Sequence, residues 1–158
     1  MQTFLPYADF AASARVLDQR RLGKQRVETL QVMRALTVAG YGWRHHPVAK
    51  MWRGHRGSLM DYQVAVCAEW VSRGFGDTCL ESTLAELALP SLVDPETDEL
   101  AQWRRGEHRP PWWLGQEAVH RSHRSKLLQK DPAHYGPLFP GTPDDLDYVW
   151  PGPDVRPL

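Results

Sequence analysis

A mostly helical fold is the class this sequence predicts, and three observations carry it. No stretch alternates apolar and polar residues for long enough to build a sheet. Residues 9–38 contain no proline and place apolar side chains at helical spacing. Two more segments, about 58–73 and 116–130, repeat that spacing and end in helix-stopping chemistry. A chain of 158 residues suits one domain that buries about two-thirds of its unfolded surface. The expectation is a compact helical bundle over 1–158, with about three main helices, long loops and a proline-rich tail over about 141–158.

The opening "MQTFLPYADF" is short, closed by Pro6, and leaves Asp9 as an N-cap for the first helix. On a helical wheel, Val16, Leu22, Val27, Leu30 and Met33 fall to one side, and Leu17, Arg21, Lys24 and Glu28 to the other. Arg26 falls on the apolar side, where a guanidinium needs a partner or a wet cavity. Gly40 and Gly42 end this helix. The next segment, "YGWRHHPVAKMWRGHRG", is a basic loop with two tryptophans and three histidines. The helix over about 58–73 buries Leu59, Tyr62, Val66 and Trp70, with Gly74 as its left-handed stop. A short helix in "DTCLESTLAELALPSL" ends near Pro90, an acidic loop comes next, and "WRRGEHRPPWWLG" is turn-like. "QEAVHRSHRSKLLQK" supplies the third main helix. In the tail, Tyr148 and Trp150 are the residues able to anchor it to the core.

The net charge is zero, with 19 basic and 19 acidic residues, so a uniformly basic coat is excluded. The charges are nonetheless segregated. Residues 14–73 carry eleven Lys and Arg against four Asp and Glu, whereas 76–99 carry seven acids and no base. Basic character returns over 103–130, seven against two, and the rest of the chain is acidic. Either the segments neutralise one another in the fold, or they leave a positive face for a polyanion. The two cysteines, Cys67 and Cys79, match no zinc or redox spacing, and no apolar run has membrane-spanning length. These features predict a soluble cytoplasmic protein with no membrane contact and a buried Cys67.

Three constellations are candidates for chemistry. Within "RRLGKQRVE", residues 20–28, four cations surround one carboxylate, Glu28. This is either a solvated face with a Lys24–Glu28 pair or a charged site. In "GWRHHPVAKMWRGHR", Trp43 and Trp52 interleave with Arg44, His45, His46, Lys50, Arg53 and Arg56, the pattern of stacking aromatics and phosphate-holding cations. The alternative is that tryptophans, Trp52 first, belong to the core. In "HRSHRSK", His120, His123 and Arg124 share a helix face beside Lys126. This face suits phosphate contacts or hydrogen bonds that pack the helix, and no carboxylate lies at metal-ligand spacing.

Taken together, "MQTFLPYADFAASARVLDQRRLGKQRVETLQ", "GWRHHPVAKMWRG", "WVSRGFGDT" and "HRSHRSKLLQKDPAHYGPLFPG" resemble a bacterial branch of the pyrimidine-dimer DNA glycosylase family, of the phage endonuclease V type. The resemblance spans most of the chain. It implies a helical domain without metal or organic cofactor that acts on damaged DNA in the bacterial nucleoid; the sequence leaves the oligomeric state open, with a monomer favoured. It implies too that a nucleotide is flipped, an amine attacks the sugar C1′, and a Schiff base permits strand cleavage by β-elimination. Carried over to this chain, the catalytic set is Glu28, Met1, Lys24 and Arg26. DNA contacts fall to Arg20, Arg21, Trp43, Arg44, His45, His46, Lys50, Arg53, His120, His123, Arg124 and Lys126. The phage-type pattern has arginine followed directly by glutamate, whereas here Val27 separates Arg26 from Glu28. It also uses the amine exposed when methionine is removed ahead of a small residue, and the second residue here is Gln2. The nucleophile is then the Met1 amine, Lys24 or water. A damage-binding module without catalysis, and a metal nuclease built on His45, His46, His120 and His123, are the competing readings.

Overall fold

The computed structural model describes residues 1–152. Among them are eight helices and no strand: α1 (Phe10–Val16), α2 (Gln19–Thr37), α3 (Pro47–Trp52), α4 (Arg56–Ser72), α5 (Cys79–Leu87), α6 (Glu99–Arg104), α7 (Glu117–Lys130) and α8 (Pro132–Tyr135). None is long and apolar enough to cross a membrane. The three longest helices, α2, α4 and α7, are the three the sequence leads one to expect.

The helix expected over 9–38 is broken in two. Asp9 caps α1 by accepting from the amide of Ala12 at 2.7 Å. Leu17 and Asp18 are extended, and Asp18 starts α2 by accepting from the amide of Arg21 at 3.3 Å. Tyr135 holds Asp18 in place, donating its hydroxyl at 2.5 Å and accepting the Asp18 amide at 3.1 Å. A capping carboxylate competes with helical backbone bonding, and here a tertiary partner decides the outcome.

α2 is the central helix and packs against α3, α4 and α5. Its buried stripe is Leu22, Gln25, Thr29, Val32, Met33 and Leu36. Val27, expected on that side, is 44 % exposed. Gly23 permits the close approach of α4, because a Cβ there would stand 2.9 Å from the Trp70 ring. At the far end of α4, Gly74 takes the expected left-handed backbone, with φ +95°. The core centres on Trp52, which is fully buried and stands edge-on to Trp113 at 5.0 Å.

Two short helices arise where loops are expected. His46 caps α3 through Nδ1, which accepts from the Val48 amide at 3.1 Å, and Pro47 occupies the first turn. Asp98 does the same for α6, accepting from Ala101 at 3.0 Å. The tail is irregular as expected over 143–152 and lies along α7. Ser125 and Ser122 accept the amides of Leu146 and Val149, and Tyr148 and Trp150 pack on the core. Positions 153–158 of the expected tail lie outside the described residues.

Acidic and basic segments meet across α2, α4, α5 and α6. Asp77 pairs with Arg26 at 2.5 Å, Glu86 with Arg34 at 3.1 Å, and Glu99 with the buried Arg56 at 3.1 Å. Neutralisation is therefore one-sided. Arg20, Arg44, Lys50, Arg53 and Lys130 are exposed and make no ion pair with another described residue.

Candidate active site

Ahead of α1, residues 1–5 belong to no helix or strand, yet Gln2, Thr3, Phe4 and Leu5 are buried. Their polar groups are instead met by side chains. Gln2 donates its amide to Glu28 Oε2 at 3.3 Å, and Gln25 receives the Phe4 amide at 3.0 Å while donating to the Gln2 carbonyl at 2.7 Å. Tyr62 donates to the Phe4 carbonyl at 2.7 Å, and Trp52 to the Thr3 hydroxyl at 2.9 Å.

This segment ends at a carboxylate. The Met1 amino nitrogen stands 4.0 Å from Glu28 Oε1, and Lys24 Nζ stands 3.5 Å from the same oxygen. Glu28 is 13 % exposed and Met1's side chain 2 %, whereas Lys24 is 73 % exposed. A cleft of about 340 Å³ opens above these groups. Arg20, Arg21 and Lys130 stand on its cationic side, and Phe4 and Tyr148 supply its aromatic wall. Burial pushes the Tyr148 hydroxyl up to about 12, so it stays a neutral hydrogen-bond donor at cellular pH.

The arrangement combines a primary amine, a partly shielded carboxylate and a ring of cations around a cavity of nucleotide size. An amine can add to an electrophilic carbon, and a carboxylate at contact distance can stabilise positive charge or carry a proton. The cations suit flanking phosphates. The family model for pyrimidine dimer DNA glycosylases matches residues 1–82. The chain belongs to the pyrimidine dimer DNA glycosylase family. The matched region holds Met1, Lys24 and Glu28, while Lys130 and Tyr148 come from beyond it. No curated protein and no solved structure is significantly similar to the chain. Family membership makes it a DNA glycosylase, with DNA as its substrate.

Within this family frame, Met1, Lys24, Glu28, Arg20 and Arg21 converge. Arg21 also pairs with Asp18 at 3.0 Å. His46 lies near enough to feel the charges of the Met1 amine and Glu28, although burial is the main influence and lowers its pKa. It sits edge-on between exposed Trp43, at 5.6 Å, and Trp150, at 5.9 Å, so the basic loop borders the cleft. Arg44, His45 and Arg53 continue from there into a groove of about 250 Å³ floored by Leu36 and Leu92, and Lys50 is exposed on α3.

Five expected site residues are placed otherwise. Arg26 is turned away from Glu28 and lies over the Trp70 ring at 4.4 Å, bonded to Asp77, because two positions on a helix differ by about 200°. His120 and His123 are buried and bond to Leu5, so neither offers a surface to phosphate. Arg124 donates to the Pro6 carbonyl at 2.7 Å and contacts Glu117. Lys126 remains at the tail's edge, 3.2 Å from Asp147 and over the Tyr148 ring. Among the described residues no three His, Cys, Asp or Glu side chains are grouped to hold a metal ion. Sequence reasoning missed Gln2, Gln25, Lys130 and the wall role of Tyr148. Gln25 left a usable signal: it is a polar residue on the Leu22–Val32 buried stripe, where an amide needs partners.

Proposed function

We propose that this chain excises a damaged pyrimidine through attack of the Met1 α-amine at C1′ of an extruded nucleotide. The observation that carries this reading is the Met1 nitrogen beside Glu28 at the floor of a cation-rimmed cleft. α-Amines commonly titrate at about 7.7–8.0 and lysine side chains near 10.4, so the former offer more neutral amine at cellular pH. A lysine becomes a nucleophile by burial or crowding, and Lys24 is largely exposed. Met1 is therefore the nucleophile, and Lys24 is a second cation against the Glu28 carboxylate, at 3.5 Å.

In the first step the amine lone pair forms the N–C1′ bond as the C1′–base bond breaks. The base departs with that electron pair and is protonated. The Glu28 carboxylate stabilises the positive charge on the sugar and then accepts the proton released by the added nitrogen. Opening of the sugar ring gives an imine as Glu28 passes that proton to the ring oxygen, which restores the carboxylate. Glu28 can next remove a C2′ proton, expelling the 3′ phosphate by β-elimination, and water finally hydrolyses the imine to restore the amine. Arg20, Arg21 and Lys130 hold phosphates flanking the extruded nucleotide, and Tyr148 lines its pocket.

The test is borohydride trapping on labelled duplexes carrying a thymine dimer, uracil, an abasic site or no lesion. The expected result is a covalent adduct at the Met1 amine, with the duplexes ranked by lesion. Binding of damaged duplex with neither adduct nor base release would instead mark a damage-binding module.

A further inference from the structure

The residues that flank the proposed nucleophile are held by an unusual set of partners, and none of these partners lines the cleft. Leu5 donates its amide to His123 Nδ1 at 2.9 Å, and its carbonyl accepts from His120 Nδ1 at 2.9 Å. One and three residues earlier, Gln25 closes a pair of bonds on the Phe4 amide and the Gln2 carbonyl. A β-ladder would engage alternate residues of an extended segment in this way. Here side chains of α2 and α7 take the place of the neighbouring strand.

The two histidines are locked in opposite tautomers. His120 donates from Nδ1 because its Nε2 accepts the Gly115 amide at 3.0 Å. His123 accepts at Nδ1, which puts its proton on Nε2, and that atom is buried without a partner. An apolar residue in its place would remove that orphaned group, so the bond to Leu5 is what histidine supplies here. His123 also stands edge-on to Phe4 at 6.4 Å and to the cleft residue Tyr148 at 5.5 Å. One ring thus backs both residues of the cleft's aromatic wall.

We propose that Gln25, His120 and His123 are positioning residues that fix the register of residues 2–5 and so hold the Met1 amine against Glu28. This rests on the amine reading of the active site. Extended segments without a ladder slide easily, and a slip of one residue would carry the amine about 3.3 Å along the segment axis. Displacement of that size is enough to forfeit catalytic geometry.

The experiment uses a duplex with a preformed abasic site, so that base excision is bypassed. It compares wild-type protein with His123→Leu, His123→Asn and Gln25→Met, reading duplex affinity, single-turnover borohydride trapping, and hydrogen exchange at the Phe4 and Leu5 amides. Asparagine places Oδ1 near the lost Nδ1 and can accept the same bond. His123→Leu and Gln25→Met are expected to slow trapping by at least about tenfold and to speed exchange similarly, with affinity kept within about twofold. His123→Asn should stay within about threefold of wild type. Loosened amides with an unchanged trapping rate would overturn the proposal, as would parallel losses of affinity and rate, or an asparagine variant as slow as leucine. Gln25 lies on α2, so if His123→Leu fails to fold, Gln25→Met gives the same comparison through another helix. Wild-type protein that binds the duplex without trapping would overturn the amine reading itself, a result distinct from normal trapping in the loosened variants.

Discussion

Arg26 and Glu28, two residues apart on α2, face opposite sides of the molecule: the guanidinium bonds to Asp77 at 2.5 Å, and the carboxylate faces the Met1 amine. One helix therefore separates a structural ion pair from the proposed reacting groups. Burial opposes ionisation of Asp77, but bonds from the Leu80 amide, Arg26 and the Cys79 amide outweigh it and lower its pKa. Arg26→Met should cost about 2–3 kcal/mol by stranding that carboxylate, a fall in Tm of roughly 5–10 °C. Turnover per folded molecule should be unchanged; a loss of activity at full folding would return Arg26 to the site.

Glu28→Gln keeps the side chain's shape and removes its charge. Base release should fall by at least about a hundredfold, within the range for losing proton transfer, while duplex affinity is preserved. Unimpaired turnover, measured in single-turnover assays, would refute the role given to this carboxylate.

The exposed cations at the cleft predict a salt signature. Replacing Arg20 or Lys130 with alanine should each reduce the slope of log affinity against log salt by about 0.9, with little dependence on the lesion. Titrations at several salt concentrations measure this, and an unaltered slope would take that residue off the phosphate path.

Stability should fall in mild acid because of His123. Burial lowers its pKa from 6.5 to about 3, so the folded state keeps the ring neutral where the unfolded chain binds a proton. The histidine's contribution is complete above pH 6.5 and is lost progressively as pH falls towards the folded value. Urea unfolding between neutrality and pH 4.5 should lose about 1.4 kcal/mol per unit through this group. His123→Asn should flatten that part of the profile, and an equally steep variant would assign the slope elsewhere.

Gly23→Ala tests helix packing apart from chemistry. The new methyl would press on the Trp70 ring, so a loss of about 1–3 kcal/mol is expected in spite of alanine's better helix propensity. A more stable variant would mean that Trp70 yields freely.

The helical class and the three main helices were legible because apolar spacing and glycine stops are local signals. Glu28 stood out through its surrounding charge. The break at Leu17–Asp18 was not legible, because Tyr135, which fixes Asp18, lies 117 residues away. The same distance hid the role of His123, whose spacing in sequence looks like a surface motif while its partner is Leu5. Arg26 misled for another reason: its partner Asp77 belongs to the acidic segment, and only the fold reveals which cations that segment silences.

The bonds joining Leu5 to α7 span 115 and 118 positions, which sets an order of events during synthesis. Leu5 can acquire these partners only after α7 has been made. Closing so long a loop is entropically late, so α2 and α4 can pair while the leading segment is still unplaced. A nascent chain stopped before α7 would own every residue matched by the family model and yet lack a seated terminus. On the proposed mechanism the reacting end would be seated last, and the amine would stay out of register until α7 has folded against Leu5.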